Sequence, residues 1–249
     1  MPSSPPRKAF YPLESNPLVF NELLLHLGVS PGLQFQDIFT LSEPDFLPHH
    51  PALALILVFP ADEVLKADAA SARPAYAGYG ADEPVVWFRQ TIQNACGLYA
   101  LLHGVCNGAA GRFIEPDGLL ARLLKESIPL APEGRAKVLE NSAELERAHT
   151  AVALTGDSAV PESADAEVEF HYICYVKSGK DGRVYELDGD RKGPIDTGVV
   201  LEEDGEDVCC EKVLGLVRRY IEGAEGNMNF GLLVLVDEGG GMGEGARTS

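Results

Sequence analysis

One helix predicted in this chain has no polar face. Residues 94–106 carry small, aliphatic and aromatic side chains almost all the way round, with one histidine among them. A helix of this composition is stable only when other elements bury all of its sides. The rest of the chain must therefore fold around it, and 249 residues with 45% hydrophobic side chains are enough to form the core that this requires.

Patterns elsewhere predict a mixture of helices and strands. The first helix has Asn16 as its N-cap, Pro17 at its first position and Gly28 at its end. Further helices are predicted over 117–127, 133–141, 142–154 and 206–222, and strands over 33–39, 51–60, 168–177, 183–187 and 230–236. Without a strong linker or an internal repeat, this order predicts a single α+β domain.

The remaining segments lack such periodicity. We predict a flexible N-terminal lead over residues 1–9, loops over 71–83 and 155–167, and a disordered Gly-rich tail over 238–249. The folded domain then spans residues 10–237.

The charge of the chain excludes several classes of partner. The formal net charge is -18, whereas binding to nucleic acid or to an anionic membrane needs clustered Lys and Arg. We therefore expect neither nucleic acid nor membrane as a partner. The charge favours a basic protein or peptide instead, with simple solubility as the alternative.

Cysteine usage and the missing targeting signals indicate a reducing compartment. The five cysteines are scattered and show no Cys-x-x-Cys spacing, which argues against a disulfide framework or a zinc site. The N-terminus does not resemble a secretory signal, and the longest apolar run, residues 52–59, is too short to span a bilayer. We expect a cytoplasmic protein without a metal or another cofactor.

One cysteine occupies a position that suits a nucleophile. Cys96 stands where a polar loop meets the start of the apolar helix. Backbone amides and the helix dipole at such a position favour a thiolate, and the same amides can hold the oxyanion that forms when it attacks a carbonyl. Gln90 supplies a neutral amide that can donate to the same oxyanion. The alternative is an inert cysteine in the core, which is the more usual place for this residue.

A cysteine nucleophile usually needs a base. His171 opens an apolar strand, and Asp188 follows the next strand of the predicted hairpin. Asp188 can accept a hydrogen bond from one ring nitrogen and leave the other facing the thiol. The alternative is a half-buried histidine and an ordinary Asp-Gly turn. Among the other histidines, His103 fits a core position, and His149 lies late in a helix, where a positive charge is favourable.

Taken together, these motifs resemble one known family. Residues 90–97 resemble the active-site motif of the ubiquitin C-terminal hydrolases, a papain-like family of cysteine peptidases. Four further blocks of that family have similar stretches in the same order: residues 12–17, 54–60, 170–171 with 185–189, and 229–235. The resemblance runs from about residue 10 to 236. The chain ends soon after the last predicted strand, as in the short, single-domain members.

The resemblance implies a role for each site residue. Cys96 would be the nucleophile, His171 the base, Asp188 its orienting acid and Gln90 the oxyanion donor. It also implies a central antiparallel sheet flanked by helices on both sides, in a knotted papain-like fold. Residues 155–167 would be the crossover loop that limits which leaving groups can pass. Phe10 stands where the family often has Trp, and the loop is rather long and acidic.

The implied activity is thiol-dependent hydrolysis at the C-terminal glycine of ubiquitin, which releases small adducts or short peptides through an acyl-enzyme on Cys96. The basic tail of ubiquitin fits the acidic chain, and we expect a monomer. Two alternatives stay open. The chain has the same chemistry but prefers a ubiquitin-like protein such as NEDD8, or it is an inactive ubiquitin-binding module, against which the complete set of four residue types argues.

Overall fold

An antiparallel sheet forms the centre of the protein. The computed structural model describes residues 7–41, 48, 50–60, 73–157, 161–166, 168–202, 206–223 and 229–240. Its strands are β1 (Leu33–Asp37), β2 (Ala52–Pro60), β3 (Phe170–Lys177), β4 (Arg183–Leu187), β5 (Ile195–Val200) and β6 (Gly231–Asp237). Their order across the sheet is β1-β6-β2-β3-β4-β5, and each neighbouring pair is antiparallel.

Helices pack on both faces of this sheet. They are α1 (Pro17–Leu27), α2 (Cys96–Val105), α3 (Leu119–Ser127), α4 (Pro132–Asn141), α5 (Ala143–Ala153) and α6 (Glu211–Gly223). Both faces of the sheet are covered because strands such as β2 carry apolar side chains on both sides. Successive side chains of a strand point to opposite faces, so those of β2 belong to two separate cores. Ala54, Ile56 and Val58 lie in the core that includes α1 and α2, whereas Leu55 and Leu57 lie in the core that includes α6. The predicted α+β architecture, with helices on both sides of an antiparallel sheet, is confirmed.

Helix α2 lies in the interior, as its composition predicts. All ten of its residues are buried, and it packs against β2 and β3. It begins at Cys96 and not at Asn94, so the predicted start is two residues too early. The reason is that Asn94 has a φ of 59°, a left-handed conformation that cannot continue a right-handed helix. Cys96 is consequently the first helical residue.

Helix α1 matches its sequence signals closely. The Asn16 side chain accepts a hydrogen bond from the Leu18 N–H, and Pro17 is the first helical residue. Gly28 ends the helix with a φ of 78°. A Cβ atom at that position would lie 2.6 Å from the Cα atom of Gly118, so space as well as conformation requires glycine there.

Two elements inside the predicted domain are missing from the predictions, and a third, a 3-10 helix at Glu238–Gly240, occupies the start of the tail that is predicted to be disordered. Strand β5 has an alternating half-buried and exposed pattern without strong hydrophobic periodicity, and its backbone pairs with β4 at the edge of the sheet. A 3-10 helix at Gly108–Phe113 follows α2. Both depend on neighbouring elements more than on their own side chains, so the hydrophobic pattern gives little sign of them.

The segments predicted to lack regular structure agree with the structure to different degrees. Residues 73–83 and the described parts of 155–167 form no helix or strand. The end of the predicted N-terminal lead is hydrogen-bonded, since Ala9 forms a parallel bridge with Gln93. The first part of that lead and tail residues 241–249 lie outside the described residues. Across the described ranges, no helix is long and apolar enough to cross a membrane.

Candidate active site

The fold brings Cys96 to the end of the central strand β3. Cys96 is 6% exposed and opens α2, and its Sγ atom lies 4.0 Å from the backbone oxygen of Phe170, the first residue of β3. Within the described chain, no side chain caps the start of α2. A thiolate at this position lies beside the positive end of the helix dipole, where an oxyanion would be stabilised as well.

His171 follows Phe170 and is bound to Asp188. The distance from His171 Nε2 to Asp188 Oδ1 is 2.9 Å, and both residues are buried. Burial alone lowers the pKa of His171, but hydrogen bonding and attraction to Asp188, and then to Cys96, outweigh it and raise this pKa to about 10. The raised pKa favours the protonated ring, and its Nδ1 atom is the nitrogen that does not bind Asp188.

Asp188 is itself held in place from several directions. Its Oδ1 atom accepts a hydrogen bond of 2.9 Å from the Asp190 N–H, and its backbone oxygen accepts one of 2.9 Å from the Trp87 indole. Arg191 Nε lies 3.4 Å from Asp188 Oδ2. Burial raises the pKa of Asp188, but the hydrogen bond and charge of His171, with help from the Asp190 N–H and Arg191, lower it overall. Asp188 is thus an ionised, fixed acceptor.

Glu186, a second buried acid near this site, lies on strand β4. Glu186 Oε1 lies 2.9 Å from Arg191 Nη2 and accepts a hydrogen bond of 2.9 Å from the Tyr220 hydroxyl on α6. Its other oxygen accepts a hydrogen bond of 3.0 Å from Tyr175 on β3. The charge of Arg191 is thereby shared between Glu186 and Asp188, which ties the turn after β4 to α6 and β3.

Gln90 is anchored to the turn that carries Asp188. Its N–H donates to the Gly189 backbone oxygen at 2.7 Å, and a Cβ atom at Gly189 would lie only 2.7 Å from Gln90 Cβ. Gln90 is 8% exposed, and its Oε1 atom has no hydrogen-bond partner among the described residues. The loop before Cys96 and the turn after β4 are therefore in direct contact.

The N-terminal residues reinforce that loop. Arg7 Nη2 donates to the Gln90 backbone oxygen at 3.0 Å, the Gln93 N–H donates to the Lys8 oxygen at 2.9 Å, and the Phe10 N–H donates to the Gln93 oxygen at 3.0 Å. Residues 7–10 therefore run alongside the segment that leads to the nucleophile and limit its movement.

Asp190 is a charged group at this site that the sequence motifs do not predict. Its Oδ2 atom lies 4.0 Å from His171 Nδ1, the nitrogen opposite the one that binds Asp188, and its side chain is 33% exposed. Burial raises the pKa of Asp190, while the charges of His171 and Arg7 lower it and that of Asp188 raises it further. His171 thus has a carboxylate near each of its ring nitrogens.

A cavity of about 630 Å³ opens onto the thiol. Its lining includes Leu13 and Glu14 from the segment before α1, Glu169 and Tyr172 around the start of β3, and Phe230 before β6. The walls are mostly apolar, and the charged residues among them are acidic. A narrow peptide with a basic segment fits such a cavity.

The other candidate residues lie apart from this site. His103 is completely buried, as predicted, and accepts a hydrogen bond from the Phe88 N–H at 3.0 Å. The expectation of a favourable positive charge at His149 is wrong, because burial lowers the pKa of His149 to about 4. All five cysteines are free thiols. The residues that the structure describes contain no cluster of His, Cys, Asp and Glu suited to a metal ion.

The known proteins that this chain resembles belong to one family. The model of ubiquitin carboxyl-terminal hydrolase family 1 matches residues 10–222. The chain is 32% identical over 226 residues to ubiquitin carboxyl-terminal hydrolase isozyme L1 of Equus caballus, which covers 90% of this chain and 96% of that protein. It is 29% identical to ubiquitin carboxyl-terminal hydrolase 3 of Arabidopsis thaliana, over 92% of this chain and 94% of the relative.

Solved structures show the same fold. The UCH37 catalytic domain of Trichinella spiralis, crystallised with ubiquitin vinyl methyl ester, superposes with a TM-score of 0.70 at 24% identity. The match covers 92% of this chain and 95% of that one. With the family model matching most of the chain, the conclusion is direct: this protein belongs to ubiquitin carboxyl-terminal hydrolase family 1.

Proposed function

We propose that this protein hydrolyses amide or ester bonds at the C-terminal glycine of ubiquitin and releases small adducts or short peptides. In this proposal Cys96 is the nucleophile, His171 the base, Asp188 its orienting acid and Gln90 an oxyanion donor. The observation that carries it is the ring of His171, which is bound to Asp188 through Nε2 and has Cys96 among the groups that raise its pKa. Family membership supplies the substrate class, because the relatives are named as ubiquitin hydrolases.

The reaction follows from this arrangement. His171 holds the proton of the Cys96 thiol, and the thiolate attacks the glycine carbonyl. The oxyanion is stabilised by amides at the start of α2 and by Gln90. The protonated His171 then gives its proton to the leaving nitrogen or oxygen, and an acyl-enzyme remains on Cys96. Finally, His171 removes a proton from water, which attacks the thioester and releases the free carboxylate.

Charge and shape at the cavity support a basic peptide tail as the substrate. Glu14 and Glu169 border the opening, and the chain carries a net charge of -18. Acidic groups at the rim increase the rate at which a basic tail finds the site. The predicted loop over 155–167 carries four further acids that would attract such a tail: Asp157, Glu162 and Asp165, and Glu167, which lies outside the described residues. We also propose that the protein acts as a monomer in the cytoplasm, which size measurement and localisation in cells would test.

The test is covalent capture by ubiquitin with an electrophile at its C-terminus. Wild-type protein is expected to form one adduct on Cys96, identified by mass spectrometry of the peptides. Cys96→Ala is expected to form none and to lose hydrolysis by about 10⁴-fold or more, because the covalent route is gone. Cys210→Ala is the matched control, since Cys210 is a partly buried free thiol on the other side of the fold, beside α6.

Three results would argue against the proposal in different ways. An adduct on a cysteine other than Cys96 would overturn the nucleophile assignment. Binding of ubiquitin without an adduct would indicate an inactive binding module. Neither binding nor adduct with ubiquitin, but a rapid adduct with the corresponding NEDD8 probe, would move the substrate to that ubiquitin-like protein.

A further inference from the structure

The residues just before the nucleophile hold a distant part of the chain. Asn94 Nδ2 donates two hydrogen bonds, to the backbone oxygens of Ala164 and Ala166, each 2.7 Å long. Gln93 Nε2 donates a third, of 3.2 Å, to the backbone oxygen of Asp165. Residues 161–166, which we term the crossover segment, are thereby attached to the start of α2.

The conformation of Asn94 is unusual for a residue with a side chain. Its φ of 59° is left-handed, and it is the one non-glycine residue with positive φ in the described part of the chain. Glycine adopts this conformation without strain, and asparagine is among the residues that tolerate it best. Asn94 is only 8% exposed, and both hydrogens of its amide are used to bind the crossover segment. Its side chain therefore has a structural task that glycine could not perform.

The crossover segment is close in sequence to residues that line the active-site cavity. Residues 168–170 follow it and line that cavity together with Cys96. The Phe170 oxygen lies 4.0 Å from Cys96 Sγ. A leaving group attached to the scissile carbonyl must pass close to this wall. The position of the crossover segment consequently affects how much space a leaving group has.

We propose that Asn94 is a positioning residue that fastens the crossover segment beside Cys96 and thereby limits the size of the leaving group. The amide binds two carbonyl oxygens that lie two residues apart, so it holds both the position and the direction of the segment. Release of this contact frees the segment to move and admits larger adducts. The inference rests on the proposed function, since the selectivity is that of the same reaction.

Two substitutions separate the side chain of Asn94 from its backbone conformation. Asn94→Gly keeps the left-handed backbone and removes the hydrogen bonds. Asn94→Asp keeps the size of the side chain, but its carboxylate cannot donate and faces two carbonyl oxygens. Gln93→Ala removes only the weaker contact with Asp165 and serves as a graded comparison.

Asn107→Asp provides a matched control at a remote position. Asn107 is buried, and its Nδ2 atom donates to the backbone oxygens of Val86 at 2.9 Å and His103 at 2.8 Å. The same change of amide to carboxylate there removes two similar hydrogen bonds without touching the crossover segment. It therefore reports the effect of a general loss of stability on the assay.

The readout is a ratio of two kcat/KM values. The first is measured on ubiquitin fused at its C-terminus to a folded domain, and the second on ubiquitin carrying a small fluorogenic amine. Effects of a substitution on the nucleophile itself cancel in this ratio. We expect the ratio to rise about tenfold or more in Asn94→Gly and Asn94→Asp, less in Gln93→Ala, and not in Asn107→Asp.

Hydrogen exchange gives a second measurement that does not need turnover. Amides of residues 162–166 are expected to exchange faster in both Asn94 variants than in the wild type, while α2 stays protected. An unchanged ratio, or unchanged exchange in this segment, would overturn the inference. Failure of the wild type to release the small amine from ubiquitin would instead contradict the proposed function. Failure of the inference and failure of the proposed function therefore give different results.

Discussion

Two buried histidines near the catalytic turn have pKa values that are shifted in opposite directions. His171 is 4% exposed and His103 is fully buried, so water is excluded from both. Burial lowers the pKa of His103 to about 4, although the charge of Asp188 acts in the opposite direction. The same burial acts on His171, yet direct hydrogen bonding to Asp188 and attraction by it and by Cys96 raise its pKa to about 10.

The difference shows that contact with a carboxylate, and not burial, decides the charge of a histidine in this core. Burial lowers the pKa of His149 as it lowers that of His103. The Nε2 atom of His149 lies 2.7 Å from the backbone oxygen of Tyr11, and burial lowers the pKa of this ring to about 4. The hydrogen bond to this neutral carbonyl favours the protonated ring, but not enough to offset burial. Of these three histidines, His171 alone has a raised pKa, and Cys96 is among the groups that raise it.

Removal of the carboxylate of Asp188 is expected to have the largest effect on His171. In Asp188→Asn the main group that raises the pKa of His171 is lost, and the amide can hold the ring in the wrong tautomer. We expect kcat/KM to fall by about 10²- to 10⁴-fold with little change in ubiquitin affinity. Steady-state hydrolysis and a binding titration measure the two quantities.

Asp196→Asn is the matched control for that substitution. Asp196 lies on the edge strand β5 and pairs with Arg183 at 2.9 Å, and the two side chains are 42% and 43% exposed. The same loss of one negative charge there should leave kcat/KM within about twofold of the wild-type value, since exposed ion pairs contribute little. Unchanged activity in Asp188→Asn would mean that another group orients His171.

The lowered pKa values of His103 and His149 make the stability of the fold depend on pH. The unfolded chain protonates them near pH 6.5, whereas folded His103 and His149 do so only near pH 4. The unfolded state therefore binds more protons in this window, and stability falls as pH falls from about 6.5 to 4. The expected loss is about 2–3 kcal/mol for each histidine. Urea unfolding at a series of pH values measures it.

His149→Gln tests this assignment. The glutamine amide can still donate to the Tyr11 oxygen but cannot bind a proton in this range. The free energy of unfolding should then depend less steeply on pH, by about one proton below pH 6. An identical slope in the variant and the wild type would contradict the low pKa of His149. The raised pKa of His171 acts with the opposite sign, since its stabilisation is lost as pH rises towards 10.

The sequence predicts most of the framework because its signals are local. The caps of α1 at Asn16 and Gly28 and the apolar composition of α2 need only neighbouring residues to be recognised. Family motifs then point to Cys96 and His171. The order of strands in the sheet depends on pairing between distant segments, and local periodicity carries no information about it.

The groups around the candidate site were harder to predict because they depend on distant contacts. The hydrogen bonds of Asn94 join residues that are 70 and 72 positions apart. In the sequence, Arg191 looks like an ordinary charged residue near a turn. In the structure its partners lie on β4 and α6. The left-handed φ of Asn94 has a weak sequence signal, because asparagine tolerates it but also occurs in many other conformations. Side-chain type alone does not reveal such roles.

The smallest effect is expected when the second carboxylate near His171, that of Asp190, is removed. Asp190 lies 4.0 Å from Nδ1 and is partly exposed, so its attraction for the protonated ring is weaker than that of Asp188. Asp190→Asn should lower the pKa of His171 and move the basic limb of kcat/KM to lower pH by about one unit or less. Asp190→Glu restores the charge and should reverse part of this shift. A basic limb that stays in place in Asp190→Asn would show that Asp188 and Cys96 alone determine the charge of His171.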